Sequence, residues 1–279
     1  MFTISPYFRV PCVEKGVTVN DMSEFPERII KLGVNIDHVA TRRQARYASM
    51  LDMPNAEPSL LAAAHEVEAA GADSITVHLR LDRRHIQDRD VFELREGIHT
   101  KLNLEMGNTA EILAVALKAK PDFVCLVPEN RREVTTEGGL NVVNADTSLE
   151  RTVHTLQDAG IKVSLFVDPE RQQIEASARL GVEMIELHTG AFANAAVEGG
   201  AAEFRLLRDA AILGQQEGLQ VNAGHGITLI NLPRLMGVPH LAELNVGHHL
   251  VARAVFVGLG RSVRDMCALL RAYPLNEDT

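Results

Sequence analysis

Eight short runs of apolar and β-branched residues recur along the chain, each closing on polar residues. They are GVNID (33–37), SITVHLR (74–80), LNLEM (102–106), FVCLVP (123–128), KVSLFVD (162–168), MIELHTG (184–190), LQVNAGH (219–225) and ELNVGH (243–248). Their mean spacing, about 30 residues, is the length of a βα unit. The runs are near-continuously apolar, which predicts parallel strands buried on both faces. Helical patterns lie between them at 59–72, 109–121, 148–160, 169–181, 201–218 and 262–273. The start signals are Asn108-Thr109 and Pro169, and the stop signals are Gly71, Pro121, Gly160 and Gly181. Eight strands alternating with helices predict a (β/α)8 TIM barrel with extra helices. A doubly wound open sheet would want G-x-G-x-x-G after its first strand, and NIDHVATRR (35–43) has no glycine. Residues 1–30, with Pro6, Pro11 and Pro26 and no clear period, read as an N-terminal extension. The barrel domain is expected over 31–273, with a tail at 274–279.

Barrel chemistry sits at the carboxyl ends of the strands. Those ends carry Asn35, Asp37, His38, His78, Arg80, Glu105, Glu129, Asp168, Glu186, His188, His225, His248 and His249. Six of the eleven histidines therefore share one rim, far more than a random scatter would put there. No lysine ends a strand, so an imine on an enzyme lysine is disfavoured and imine chemistry needs an amine from the substrate. Strand one offers Asn35 and Asp37 rather than a histidine pair, with His38 facing the other way by period two, and no dense metal-ligand motif occurs. No metal is expected. Asn-x-x-His occurs at 35–38, 222–225 and 245–248, on strands that neighbour one another across the barrel closure. Gly224, Gly226 and Gly247 lie in the last two copies, where bare backbone can approach a phosphate or simply make a tight turn. In HLRLDRRHIQDRD (78–90), Arg83, Arg84 and Arg89 read as a salt-bridged helix start, while Arg80 shares a strand face with His78 and faces a ligand. Glu105 and Glu186 at the mouth are costly to bury unless paired or used, so each is either an arginine's partner or an acid–base group.

Composition narrows the function. The chain of 279 residues is 46% hydrophobic and 23% charged, ordinary for a globular protein. A formal net charge of −9 argues against a general nucleic-acid binder. Arginine outnumbers lysine 22 to six, which fits phosphorylated ligands and also a GC-rich coding bias. Cys12, Cys125 and Cys267 are far apart, so neither a disulfide framework nor a zinc ribbon is indicated and a reduced, cytoplasmic setting is expected. No apolar run approaches a membrane span, and the first thirty residues lack the apolar core of a secretory signal.

The eight runs, together with RRQAR (42–46), LDRRHIQDRD (81–90) and VPENRREVTTEGGLNV (127–142), resemble the pyridoxine 5′-phosphate synthase family over about residues 31–272. The resemblance implies condensation of 1-deoxy-D-xylulose 5-phosphate with 3-amino-2-oxopropyl phosphate to pyridoxine 5′-phosphate, phosphate and water, with no cofactor. It implies His78 and Glu105 as bases, His225 as proton donor and Glu186 as a stabiliser of transition-state charge. It places Asn35, Arg46, Gly226, Gly247 and His248 around the amino-ketone phosphate, and Asp37, His38, Arg80, His85 and Thr135 around the deoxyxylulose phosphate. It further implies a homo-octamer built as a tetramer of dimers, and a lid after strand four. The chain departs from the family pattern at 47–59, Leu81, Gly107-Asn108, 228–231 and His249. Those departures keep open a non-catalytic paralogue that binds a sugar phosphate or the vitamer.

Overall fold

The computed structural model describes residues 30–50, 53, 55–129, 138–195 and 200–272. Thr135, the lid, most of the N-terminal extension and the tail lie outside the described residues.

Eight parallel strands close into a barrel in chain order, with the first strand paired to the last. They are β1 (Lys31–Asn35), β2 (Ser74–His78), β3 (Lys101–Met106), β4 (Phe123–Leu126), β5 (Lys162–Val167), β6 (Met184–His188), β7 (Gln220–Gly224) and β8 (Leu241–Val246). After β1 come α1 (Asp37–Tyr47) and α2 (Leu60–Ala69). Single helices follow the next four strands: α3 (Asp88–Gly97), α4 (Ala110–Ala119), α5 (Thr147–Asp158) and α6 (Arg171–Leu180). β6 is followed by α7 (Gly190–Ala195) and α8 (Ala201–Gln216), and β7 by α9 (Leu232–Leu235). β8 is followed by α10 (His248–Val257) and α11 (Leu259–Ala272). The extra helices thus fall after β1, β6 and β8.

Local chemistry accounts for the boundaries. Ser59 and Thr109 cap α2 and α4 by accepting the N–H groups of Ala62 and Ile112. Gly181 ends α6 in the left-handed conformation at φ 77°. α1 escapes the apolar pattern because DHVATRRQARY buries little beyond Val39, Ala40 and its first-turn Asp37, plus one arginine. That arginine is Arg43, whose Nη1 and Nη2 donate to the two carboxylate oxygens of Asp90 at 2.7 Å each. Both side chains are buried, and the pair ties α1 to α3.

The expected near-continuous apolarity of the strands needs correction. Both faces of the strands are buried, but they differ in kind. Outward residues such as Val34, Ile75, Val77, Leu104, Leu165, Leu187 and Leu244 belong to one apolar core beneath the helices. Each such side chain contributes about 1.5–3 kcal/mol by leaving water. Inward positions carry Ser74, Thr76, His78, Asn103, Ser164, Glu186, Asn222, Glu243 and Asn245, all buried. The barrel axis is therefore filled with hydrogen-bonding groups rather than the branched aliphatics usual in this fold. A small inner cluster of Cys125, Val127 and Phe166 is apolar, and Phe123 and Met184 add apolar surface among the inward polar groups. Several of these polar groups pair with one another, while Asn103 Oδ1 and Ser164 Oγ find no partner among the described residues. Ser74 Oγ donates to Glu243 Oε1 at 2.7 Å, and Thr76 Oγ1 to Asn245 Oδ1 at 2.9 Å. Asn245 Nδ2 donates to Glu186 Oε2 at 2.7 Å.

Removing one partner of a buried ion pair strands the other charge, at a cost of about 3–5 kcal/mol. Arg43→Ala is expected to lose stability on that scale in urea denaturation. A loss under about 1 kcal/mol, the range of an exposed pair, would contradict the buried clamp.

Candidate active site

The strand ends and the first turns after them gather most of the expected residues at one mouth. Here too the sequence expectation needs correction. β1 ends at Asn35, so Asp37 and His38 belong to the first turn of α1. The period-two argument that turned His38 away does not apply to a helix, where successive side chains are about 100° apart. His38 instead packs edge-on against His248, ring centroids 4.9 Å apart, and His248 opens α10 in the same way.

His78 and Glu105 are register partners on β2 and β3, which is why they meet. His78 Nδ1 lies 3.9 Å from Glu105 Oε2, with side chains 5% and 17% exposed. Burial pushes the Glu105 carboxyl well above the usual range, and the Glu186 and Asp37 carboxylates push it further. The other face of His78 meets Glu129: Nε2 stands 3.3 Å from Oε1, off the direction of a hydrogen bond. Burial also opposes ionisation of Glu129. The His78 contact, the Leu81 N–H and the Arg80 charge outweigh it, so Glu129 stays below its ordinary value. Asp37 Oδ1 accepts the His78 backbone N–H at 2.8 Å, and the Asp37 N–H donates to Asn35 Oδ1 at 2.9 Å.

On the opposite side stand Glu186 and His225. Burial pushes Glu186 up to about 7 against the hydrogen bond from Asn245, and the Glu243 charge adds to the rise. His225 is held with φ at +81°, and burial, then the nearby His188, lower its pKa. His85 lies 6.3 Å from His78, centroid to centroid, and is lowered chiefly by burial. Its Nδ1 accepts the Ile86 N–H at 2.9 Å, which leaves the ring proton on Nε2. Gly226, at φ +78°, is fastened by Asn231 Nδ2 donating to its carbonyl. Gly247 caps α10 without any side-chain cap, directly beside Asn35.

Arg46 is not brought to this group. It is exposed at the far end of α1, about 13 Å along the axis from Asp37, and lies over the Tyr47 ring. Arg83 and Arg84 are paired with Asp88 and Asp82, as a salt-bridged helix start requires. Three rim residues that the sequence reading left without roles are structurally engaged. Glu129 contacts His78, and Asp168 Oδ1 lies 2.9 Å from His188 Nδ1. Their signal was position alone, at the ends of β4, β5 and β6. Asp37, His78 and Glu105 each present one ligand atom within 4.8 Å of the others, so this corner has the donors for a divalent ion.

The chain matches the family model of the pyridoxal phosphate biosynthesis protein PdxJ over residues 32–272. It belongs to the PdxJ family. A pyridoxine 5′-phosphate synthase of Akkermansia muciniphila is 56% identical over 236 residues, covering 84% of this chain and 96% of that protein. One from Geobacter metallireducens is 51% identical, covering 86% of this chain and 98% of its own. Among solved structures, 3-keto-L-gulonate-6-phosphate decarboxylase from Vibrio cholerae superimposes with a TM-score of 0.59 at 14% identity, covering 88% of this chain and 99% of that one. At that identity the likeness speaks for the barrel alone. The PdxJ family match spans the four strand-end residues His78, Glu105, Glu186 and His225.

Glu186 titrates at about 7 in the fold and near 4.5 as an ordinary side chain. A carboxyl raised by folding stabilises most below its unfolded value, and that contribution is lost as pH climbs through its folded value. Glu105 shifts in the same direction. The lowered histidines His38, His85, His225 and His249 act in the opposite sense over this range, so the mark of the carboxyl is a difference: between about pH 5 and pH 8 the ligand-free wild type is expected to lose stability relative to Glu186→Gln. Glu186→Gln keeps an acceptor for Asn245 and should lose less. Equal losses in urea titrations at the two pH values would contradict the raised pKa.

Proposed function

We propose that this protein is a pyridoxine 5′-phosphate synthase, condensing 1-deoxy-D-xylulose 5-phosphate with 3-amino-2-oxopropyl phosphate. The products are pyridoxine 5′-phosphate, phosphate and water. The observation that carries the reading is the His78–Glu105 corner: a base pair of side chains, one carboxyl raised by burial, inside a chain about half identical to named synthases. Ring closure by successive dehydrations needs protons removed and delivered near neutral pH, and a carboxyl raised toward neutrality is a stronger base than an ordinary one.

In this reading Glu105 and His78 take protons from the substrates, and His225 delivers one to a leaving oxygen. Glu186 balances charge that develops across the mouth. The amine comes from the amino-ketone, in keeping with the absence of a lysine at any strand end in the sequence. Asn35, Gly226, Gly247 and His248 hold the amino-ketone phosphate, supported by the uncapped N-terminus of α10. Arg46 would reach it only with a change at the end of α1. Asp37, His38, Arg80, His85 and Thr135 hold the deoxyxylulose phosphate. No metal takes part. The barrel is 31–273, flanked by an extension and a tail.

The assembly is a homo-octamer, a tetramer of dimers. Val255 and Phe256 on α10 support it, being 76% and 73% exposed on one helix. The setting is the cytoplasm, supported by the free, buried thiol of Cys125. Among the described residues no helix is long and apolar enough to cross a membrane.

Purified protein mixed with both phosphorylated substrates is expected to form pyridoxine 5′-phosphate and release phosphate. Tight binding of both without product would turn the reading toward a non-catalytic binder. Glu105→Gln should lower turnover about 10²-fold or more, as for loss of a general base. Steady-state assays of the folded variant check this, and near wild-type turnover would remove Glu105 from the role. Loss of activity on chelation, restored by a divalent ion, would assign the Asp37–His78–Glu105 corner to a metal instead.

A further inference from the structure

The ends of β5 and β6 carry a histidine–carboxylate pair that the reading above does not use. Val167 and Leu187 are register partners, so the next residues, Asp168 and His188, emerge side by side. His188 Nδ1 lies 2.9 Å from Asp168 Oδ1. A carboxylate only accepts, so Nδ1 carries the hydrogen. The second oxygen, Oδ2, accepts the Gly139 N–H at 3.1 Å. The His188 hydrogen bond, first among the causes, holds Asp168 below the usual carboxylate range. Asp168 is thus an anion with both oxygens engaged, and the His188 ring is fixed in position and tautomer.

The other nitrogen, His188 Nε2, is buried and has no hydrogen-bond partner among the described residues. It points into the space shared with His225. The two rings lie 5.0 Å apart, centroid to centroid, at 71°. Gly190 keeps that space open: a Cβ there would stand 2.5 Å from His188 Nε2 and 3.2 Å from His225 Cδ2. Thr189, between them in sequence, donates its hydroxyl to the Gly224 carbonyl at 2.8 Å and so braces the residue before His225. Phe166 closes the other side of the His188 ring at 5.1 Å. Among the described residues, the titratable groups in contact with the His188 ring are Asp168 after β5 and His225 after β7, with Glu186 two residues earlier on the same strand face. A buried nitrogen without a partner costs free energy unless it is used.

We propose that the Asp168–His188 pair is the proton-supplying couple of the site, reloading His225 between steps. The proposal rests on His225 being the proton donor. The donor form in this cycle carries a hydrogen on each His188 nitrogen, the Nδ1–H on Asp168 and the Nε2–H toward His225. After His225 has given its proton to a leaving oxygen, the His188 Nε2–H bond breaks and an N–H bond forms on His225. The transfer is direct or passes through one water. The electron pair stays on Nε2, and His188 is left neutral with its Nδ1–H still on Asp168. A proton from solvent, or one taken from substrate, restores it. A synthesis that expels several leaving groups needs such reloading, because one histidine holds one transferable proton. While charged, His188 also lowers the His225 pKa and so makes it a stronger acid.

His188→Gln in the full chain is expected to lower kcat by about tenfold to a hundredfold while both KM values stay within about threefold. Asp168→Asn should do the same to a smaller degree. Imidazole added to His188→Ala should restore turnover, which a structural role would not allow. Independently of turnover, nitrogen NMR titration of the substrate-free protein should place the His225 pKa higher in His188→Gln and in Asp168→Asn than in the wild type. If His188→Gln does not fold, Asp168→Asn carries both measurements. Turnover within twofold of wild type, or a drop that imidazole leaves untouched together with an unmoved His225 titration, overturns the proposal. A wild-type protein that makes no product defeats the synthase reading instead, and the NMR arm still decides whether the two histidines are coupled.

Discussion

Burial of carboxyl groups along the axis of a closed barrel is the constraint from which the rest follows. An isolated carboxylate in such a place is prohibitively costly, so each must be paired, hydrogen-bonded or protonated. Glu243 is hydrogen-bonded by Ser74, and Glu186 leans on Asn245. Asn245 is the hinge of the arrangement, because it accepts from Thr76 with one end and donates to Glu186 with the other. Its place depends in turn on Gly33, where a Cβ would stand 2.1 Å from its Oδ1. A glycine on β1 therefore decides where a carboxyl on β6 sits.

The same constraint sorts the acids by role. Glu105 and Glu186 have more burial than compensation and are driven up, while Glu129 and Asp168 have a histidine each and are driven down. Environments that pull like groups apart are how one site comes to hold both a base that accepts protons near neutrality and anions that only orient. The anions do orient here. Glu129 fixes the Leu81 backbone beside His78, and Asp168 fixes His188 beside His225. Each acid–base histidine of the reading thus stands next to a carboxylate or to a histidine held by one.

The barrel was legible because it depends on period and spacing, which survive in one sequence. The helix at 37–47 was not, since its apolar face is two residues wide and its main tertiary tie is Arg43 to Asp90, a pair 47 positions apart. The inward polar face was in plain view in SITVH and LNLEM, whose alternation marks two unlike faces, but apolar counts masked it. Rim membership of the site could be read from strand ends. Which rim residues touch could not, because contacts such as His78 with Glu105 follow from register between strands rather than from order along the chain.

The two helices that begin at the mouth show how position alone leaves chemistry open. β1 and β8 are neighbours, so α1 and α10 start side by side with the positive ends of their dipoles toward the site. α1 begins with Asp37, whose carboxylate answers that positive end internally and also takes the His78 N–H. α10 begins Gly247-His248-His249 and brings no acid and no side-chain cap. Two equivalent helix ends are thereby made unequal. One is neutralised to hold His78 in place. The other keeps its free N–H groups and adds two imidazoles, the combination that suits a phosphate. In the synthase reading this asymmetry sorts the substrates. The deoxyxylulose phosphate meets Asp37 and His38, and the amino-ketone phosphate goes to the end that carries no competing negative charge.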